Sequence, residues 1–82
     1  MLSARVFVTL KKSILDPQGS TIQRALKSMG YPEVDEVRQG KLFELKLGDM
    51  EREKAVQLVE EMCTKLLVNP VIEQYTFELL ED

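Results

Sequence analysis

Eighty-two residues make one small domain, spanning 1–82, whose own core is marginal, because a chain this size buries only about 60% of the surface it exposes when unfolded. A single cysteine forbids a disulfide within the chain, so association is the favoured compensation. The absence of histidine removes the commonest general base and metal ligand, and a net charge of −3 with a pI near 5.0 argues against a nucleic-acid partner.

Alternation predicts a first strand over about Ala4–Lys11, with Val6, Val8 and Leu10 on one face and Arg5, Phe7, Thr9 and Lys11 on the other. Lys11-Lys12 is the only adjacent basic pair, and a solvated loop accounts for it better than a phosphate site. Asp16-Pro17 is a helix-start signal, with the carboxylate at the cap and proline at the first helical position. The same start is a poor anion site, since Asp16 would repel the ligand. The first helix carries Ile22, Ala25, Leu26 and Met29 on one stripe; Gly30 ends it and Pro32 follows.

Val34–Arg38 predicts a short strand. Gln39-Gly40-Lys41 then turns the chain, and Lys41–Leu47 alternates with Phe43, Leu45 and Leu47 inward. A second reading makes Gly40 a bulge within one long bent strand from Val34 to Leu47 that reaches across to a partner subunit. Both stay open at this point.

Gly48-Asp49 opens a second helix, whose acidic first turn (Glu51, Glu53) suits the helix dipole. Ala55, Leu58, Val59, Met62 and Leu66 predict its buried stripe, with Cys63 at the border; Glu61 and Lys65 are spaced to pair. Asn69-Pro70 stops it, through a left-handed asparagine and a proline with no amide hydrogen. A last strand runs from Val71 to about Leu80, with Tyr75, Phe77 and Leu79 on one face, and Glu81-Asp82 form an acidic tail end. The halves echo each other, Tyr31-Pro32-Glu33-Val34 matching Asn69-Pro70-Val71-Ile72. The order β-α-β-β-α-β predicts an α+β domain of two layers, helices packed on one face of a mainly antiparallel sheet, ferredoxin-like or related.

Little here carries chemistry. Cys63 sits on a helix with no histidine to activate it and reads as a packed thiol. Glu60 and Glu61 are helix neighbours that point in different directions, a solvated face rather than an acid/base pair. No catalytic, cofactor-binding or metal residue is expected. Phe7, Leu42 and Leu80 each fall on a nominally polar strand face; together they make a candidate dimer patch on the open side of the sheet, with scattered exposure an equal explanation. Met1–Phe7 lacks the pattern of a signal peptide, and no apolar run approaches the roughly 20 residues that span a bilayer. The expectation is a soluble cytoplasmic protein without membrane contact.

Two stretches, Val37-Arg38-Gln39-Gly40-Lys41-Leu42-Phe43-Glu44-Leu45 and Asn69-Pro70-Val71-Ile72-Glu73-Gln74-Tyr75, resemble the small-subunit (PurS) family of phosphoribosylformylglycinamidine synthase. Val8-Thr9-Leu10-Lys11, Leu15-Asp16-Pro17-Gln18-Gly19, and Cys63 with Leu66-Leu67 ahead of Asn-Pro are similar too, so the likeness covers essentially the whole length. One departure is the short opening Met50-Glu51-Arg52-Glu53 of the second helix. The resemblance implies a homodimeric, non-catalytic accessory subunit in de novo purine biosynthesis. Its complex makes formylglycinamidine ribonucleotide from formylglycinamide ribonucleotide, glutamine and ATP. The small subunit would join the glutaminase to the large ATP-dependent synthetase subunit and assist ammonia transfer. ATP and glutamine are used by those partners, and no cofactor is expected on this chain.

The family supplies no catalytic residues. Arg38, Gly40 and Lys41 at the turn, with Asn69, Pro70 and Glu73 after the second helix, are the candidate partner-interface residues; turn and strand-start roles explain them at least as well. The competing reading is a small dimeric ferredoxin-like regulatory module that binds an amino acid or similar ligand. An RNA-binding domain would need stacking aromatics and a basic surface, whereas this chain offers Leu42-Phe43-Glu44-Leu45 and negative charge.

Overall fold

A computed structural model describes residues 1–81. Its centre is β1 (Leu2–Leu10), which pairs antiparallel with β2 (Gly40–Gly48) on one edge and β3 (Glu73–Glu81) on the other, giving the order β2-β1-β3. Register fixes the faces. Val6 lies opposite Phe43 and Phe77, Ala4 opposite Leu45 and Leu79, and Val8 opposite Lys41 and Tyr75. Because side chains alternate, these residues share one side of the sheet.

α2 (Arg52–Met62) covers that side. Val59 and Cys63 are fully buried in one cluster with Ala4, Val6, Val8 and Val68, and Phe43, Leu45, Leu47, Tyr75, Phe77 and Leu79 pack around it. Tyr75 and Phe77 stack with ring centroids 6.5 Å apart. The molecule is thin and long, 49 × 29 × 14 Å. The architecture is α+β, two helices with a three-stranded antiparallel sheet.

Several details differ from expectation. The strand expected at Val34–Arg38 does not form: this segment joins no ladder, and Gln23 Nε2 instead donates to the carbonyls of Val34 (3.1 Å) and Asp35. Gly40 is then neither a hairpin turn nor a bulge but the first residue of β2, opposite Thr9. A Cβ there would press on the Val8 carbonyl, so close backbone approach explains the glycine.

At the end of α2 the chain takes a π turn, Cys63–Leu67, in which the Val68 N–H donates to the Cys63 carbonyl at 3.0 Å. The wider turn shifts the side-chain phase. Ala55, Val59 and Cys63 form the buried line, so Cys63 is central rather than at the border, while Leu66 is 83% exposed. Asn69 is not left-handed; among the described residues positive φ occurs only at Gly30 and Gly48. The helix ends instead because Val68 is extended and the Asn69 side-chain oxygen accepts from the Val71 N–H at 3.1 Å, an Asx turn.

α1 (Pro17–Ser28) begins and ends as expected. The Gly19 N–H donates to Asp16 Oδ1 at 2.9 Å. At the other end Gly30 N–H donates to the Lys27 carbonyl (3.2 Å) and Tyr31 N–H to the Leu26 carbonyl (3.0 Å), the paired closure that a left-handed glycine allows. Its expected stripe is not buried, however. Gly19 is the only buried residue of the helix, and Met29 is 70% exposed. Of the acidic end, Glu81 closes β3 and Asp82 lies outside the described residues.

Candidate functional site

Residues far apart in sequence converge at the end of the sheet where β2 begins. Asp16 is the hub. One carboxylate oxygen caps α1, and the other accepts from the Gln39 N–H at 2.8 Å, tying the start of the helix to the start of β2. Those two backbone donors, Gln39 first, hold its pKa below the usual carboxylate range. Arg38 closes the same corner with its fork: Nη1 donates to the Ile14 carbonyl and Nη2 to the Lys12 carbonyl, both at 2.9 Å.

Across β1, Lys41 Nζ lies 3.0 Å from Glu73 Oε2. The other Glu73 oxygen accepts from the Asn69 N–H at 2.7 Å. The Asn69 donor and then Lys41 hold Glu73 below its ordinary pKa. An open cavity of about 220 Å³ lies among Val8, Leu10, Asp16, Gln39, Lys41 and Glu73.

The structure therefore brings Gly40, Lys41 and Glu73 to one cavity, with Arg38 beside it and Asn69 tied to Glu73. Pro70 sits exposed next to Asn69 and joins none of these bonds. Both carboxylates are occupied by backbone donors and stay ionised at neutral pH, so the corner fixes loops rather than moving protons. Cys63 is equally unsuited to chemistry: burial first, and then Glu60, raise its thiol pKa, which keeps it protonated.

Three of the rungs on the opposite face of the sheet bear on association. Phe7 sits between Leu42 and Thr76; Arg5 sits between Glu44 (3.7 Å) and Glu78 (3.8 Å); Ser3 sits between Lys46 and Leu80. Phe7 and Leu42 are thus exposed neighbours, 42% and 52%. Leu80 shares their face but lies beyond the charged rung and is half-buried.

Sequence reasoning missed a second apolar surface. Leu45 of β2 and Leu58, Met62, Leu66 and Leu67 line a groove of about 480 Å³ on the helix side. The signal was present, since Leu58, Met62 and Leu66 all stand on the expected stripe; it pointed to burial but not to the absence of a cover. The second bond of Asp16 and the Arg38 fork were also missed, and no local pattern announces them, because their partners are 23 to 26 residues away.

Against this geometry, comparison with known proteins is consistent along the whole chain. A family profile named PurS, described as phosphoribosylformylglycinamidine (FGAM) synthase, matches residues 3–81. The phosphoribosylformylglycinamidine synthase subunit PurS of Bacillus subtilis is 53% identical over 81 residues, covering 99% of this chain and 95% of that one. A crystal structure of Methanocaldococcus jannaschii PurS superposes with a TM-score of 0.90 at 43% identity, over 100% of this chain and 99% of that one. A matched chain in the structure of PurLQS from Thermotoga maritima gives 0.86 at 34% identity, over 98% and 99%.

Proposed function

Because the chain belongs to the PurS family of phosphoribosylformylglycinamidine synthase subunits, we propose that it is the accessory subunit of that enzyme in de novo purine biosynthesis. It bridges the glutaminase subunit and the large ATP-dependent synthetase subunit and assists the passage of ammonia between them. The whole-length family match carries this reading.

The chain's own chemistry fits a scaffold. Its two corner carboxylates, Asp16 and Glu73, are committed to backbone donors, and its only thiol is buried and protonated. Ammonia released into water is largely protonated and loses its nucleophilic lone pair, so a shielded route between two sites favours transfer. A small rigid domain that holds the sites together contributes without reacting. The chain works as a cytoplasmic homodimer and binds no cofactor of its own, while ATP and glutamine are handled by the partners. Lys41, Glu73, Asn69 and Arg38 present the corner at the start of β2 to a partner subunit.

The test is synthase activity of the glutaminase and large subunits with and without this chain, driven by glutamine or by ammonium. Glutamine-driven turnover is expected to require the chain and ammonium-driven turnover to proceed without it. If neither responds, the accessory role is wrong.

A further inference from the structure

β3 is an edge strand of nine residues, well beyond a typical strand of about five or six. Its ladder with β1 runs without a bulge, it holds no proline, and no strand pairs with its outer side among the described residues. Edges of soluble proteins are ordinarily blunted by such devices or by lysine, and β3 has none of them.

The ladder shows which backbone groups stay open. The Lys11 N–H donates to the Ile72 carbonyl at 2.8 Å, and the same register continues along the strand. Antiparallel bonds alternate, so Gln74, Thr76, Glu78 and Leu80 bond to β1. Tyr75, Phe77, Leu79 and Glu81 therefore turn their N–H and carbonyl groups outward. The Glu73 N–H is already taken by the Asn69 carbonyl at 2.8 Å. A run of outward groups thus begins just beyond the corner and follows β3 to its end.

Side chains beside this edge also lack full cover. Tyr75, Phe77 and Leu79, on the helix side, are half-buried, although Val6 and Val8 opposite them on β1 are sealed. An open cavity of about 320 Å³ lies next to the strand, among Phe7, Thr9, Gln74, Tyr75 and Thr76. An added strand points alternate side chains to the two faces and gains its affinity from main-chain bonds.

Charge selects the occupant. β3 carries three glutamates and neither lysine nor arginine, whereas β2 carries Lys41 and Lys46 beside Glu44. Glu73 is matched by Lys41, but Glu78 shares Arg5 with Glu44, and Glu81 has no ion pair among the described residues. A second copy is the wrong occupant. Pairing two β3 strands antiparallel about Phe77 sets Glu73 against Glu81 at both ends, like charge on like. A basic strand of another protein meets no such conflict.

We propose that the outer edge of β3 takes up a basic, extended segment of a partner subunit as a fourth strand of the sheet. Lysine or arginine of that segment lies against Glu78 and Glu81, and an apolar side chain enters the cavity beside Phe7. This deepens the accessory role proposed above and rests on it.

The experiment removes one outward donor and keeps every side chain. Cys63 is the only cysteine, so residues 63–82 can be joined as a synthetic peptide carrying N-methyl-Phe77 to a 1–62 thioester. Melting temperature and sedimentation of this chain are expected to match those of the unmodified one, because the Phe77 amide bonds nothing within the fold. Affinity for the glutaminase and large synthetase subunits is measured separately by calorimetry, with ATP and glutamine supplied. For one of the two it is expected to fall about tenfold or more. Glu78→Gln should weaken the same binding about threefold and reduce its salt dependence. Should the methylated chain misfold, amide exchange in the unmodified complex decides, with Tyr75, Phe77 and Leu79 expected to gain protection together. Equal affinities for both chains, or protection confined to the corner and the Phe7–Leu42 rung, overturn the edge and leave the accessory role standing. A methylated chain that loses self-association assigns the edge to a second copy and overturns the proposal too. If neither subunit binds the unmodified chain, the accessory role fails and the edge with it.

Discussion

α1 and α2 are nearly the same length, 12 and 11 residues, yet they are held in opposite ways. α1 is held at its ends: an aspartate cap, proline in the first turn, Lys27 in the last, and a glycine closure. α2 is held by one face. Its N-cap Glu51 makes no side-chain bond and its last turn loosens into a π turn, but Ala55, Val59 and Cys63 are buried. Tertiary burial makes caps dispensable, and a helix without burial in its own chain needs them.

That contrast breaks most visibly at Val59. Val59→Ala deletes fully buried methyls and is expected to cost about 2 kcal/mol. Denaturant unfolding at fixed protein concentration, with unchanged slope, measures it.

Gly19→Ala addresses the other helix and has an unusual sign. Alanine ordinarily favours a helix by about 1 kcal/mol over glycine. Here its methyl would run into the Val37 carbonyl and within 2.8 Å of Asp16 Oδ2, so a net loss of about 1 kcal/mol is expected. Amide exchange locates the damage: protection should fall in α1 and residues 34–39 and persist in β1.

Smaller again is the acid response of the corner. Asp16 and Glu73 have pKa values lowered by folding, so their contribution is present above the ordinary carboxylate pKa and fades as pH falls through their folded values. Melting temperature should therefore drop by several degrees below about pH 4. The Asp16→Asn, Glu73→Gln pair should flatten that slope, and an unaltered slope would mean that other groups govern it. Least of all matters Arg5, whose contacts to Glu44 and Glu78 are exposed and 3.7 and 3.8 Å long. Arg5→Ala should shift stability by under about 0.5 kcal/mol, a difference erased by added salt.

What could be read from the residues divides along the same line. The inward faces of β1, β2 and β3 and both ends of α1 were legible, because a period of two and a cap are local properties. The Val34–Arg38 segment was misread because its backbone is satisfied by Gln23, a side chain that carries no strand signal. Leu66 leaves the stripe because the π turn that begins at Cys63 shifts phase without an obvious marker, whereas Cys63 continues the four-residue spacing of Ala55 and Val59. Of the candidate patch, Phe7 and Leu42 fall on neighbouring strands at one rung, which alternation makes readable; the distance to Leu80 depends on register, which alternation leaves free. The corner gathers five of the six candidate residues, yet its hub, Asp16, was read only as a helix cap.

The Arg38 fork has a consequence for how such chains change over time. Both of its long bonds end on main-chain oxygens, at Lys12 and Ile14, so nothing in the joint depends on which side chains stand at those positions. Positions 12 and 14 are free to drift, whereas Arg38→Lys removes the planar fork that reaches two carbonyls together. A contact of this kind leaves no covariation behind it. Methods that find neighbours by matched substitutions pass over it, although it helps pin the start of β2 to the loop before α1.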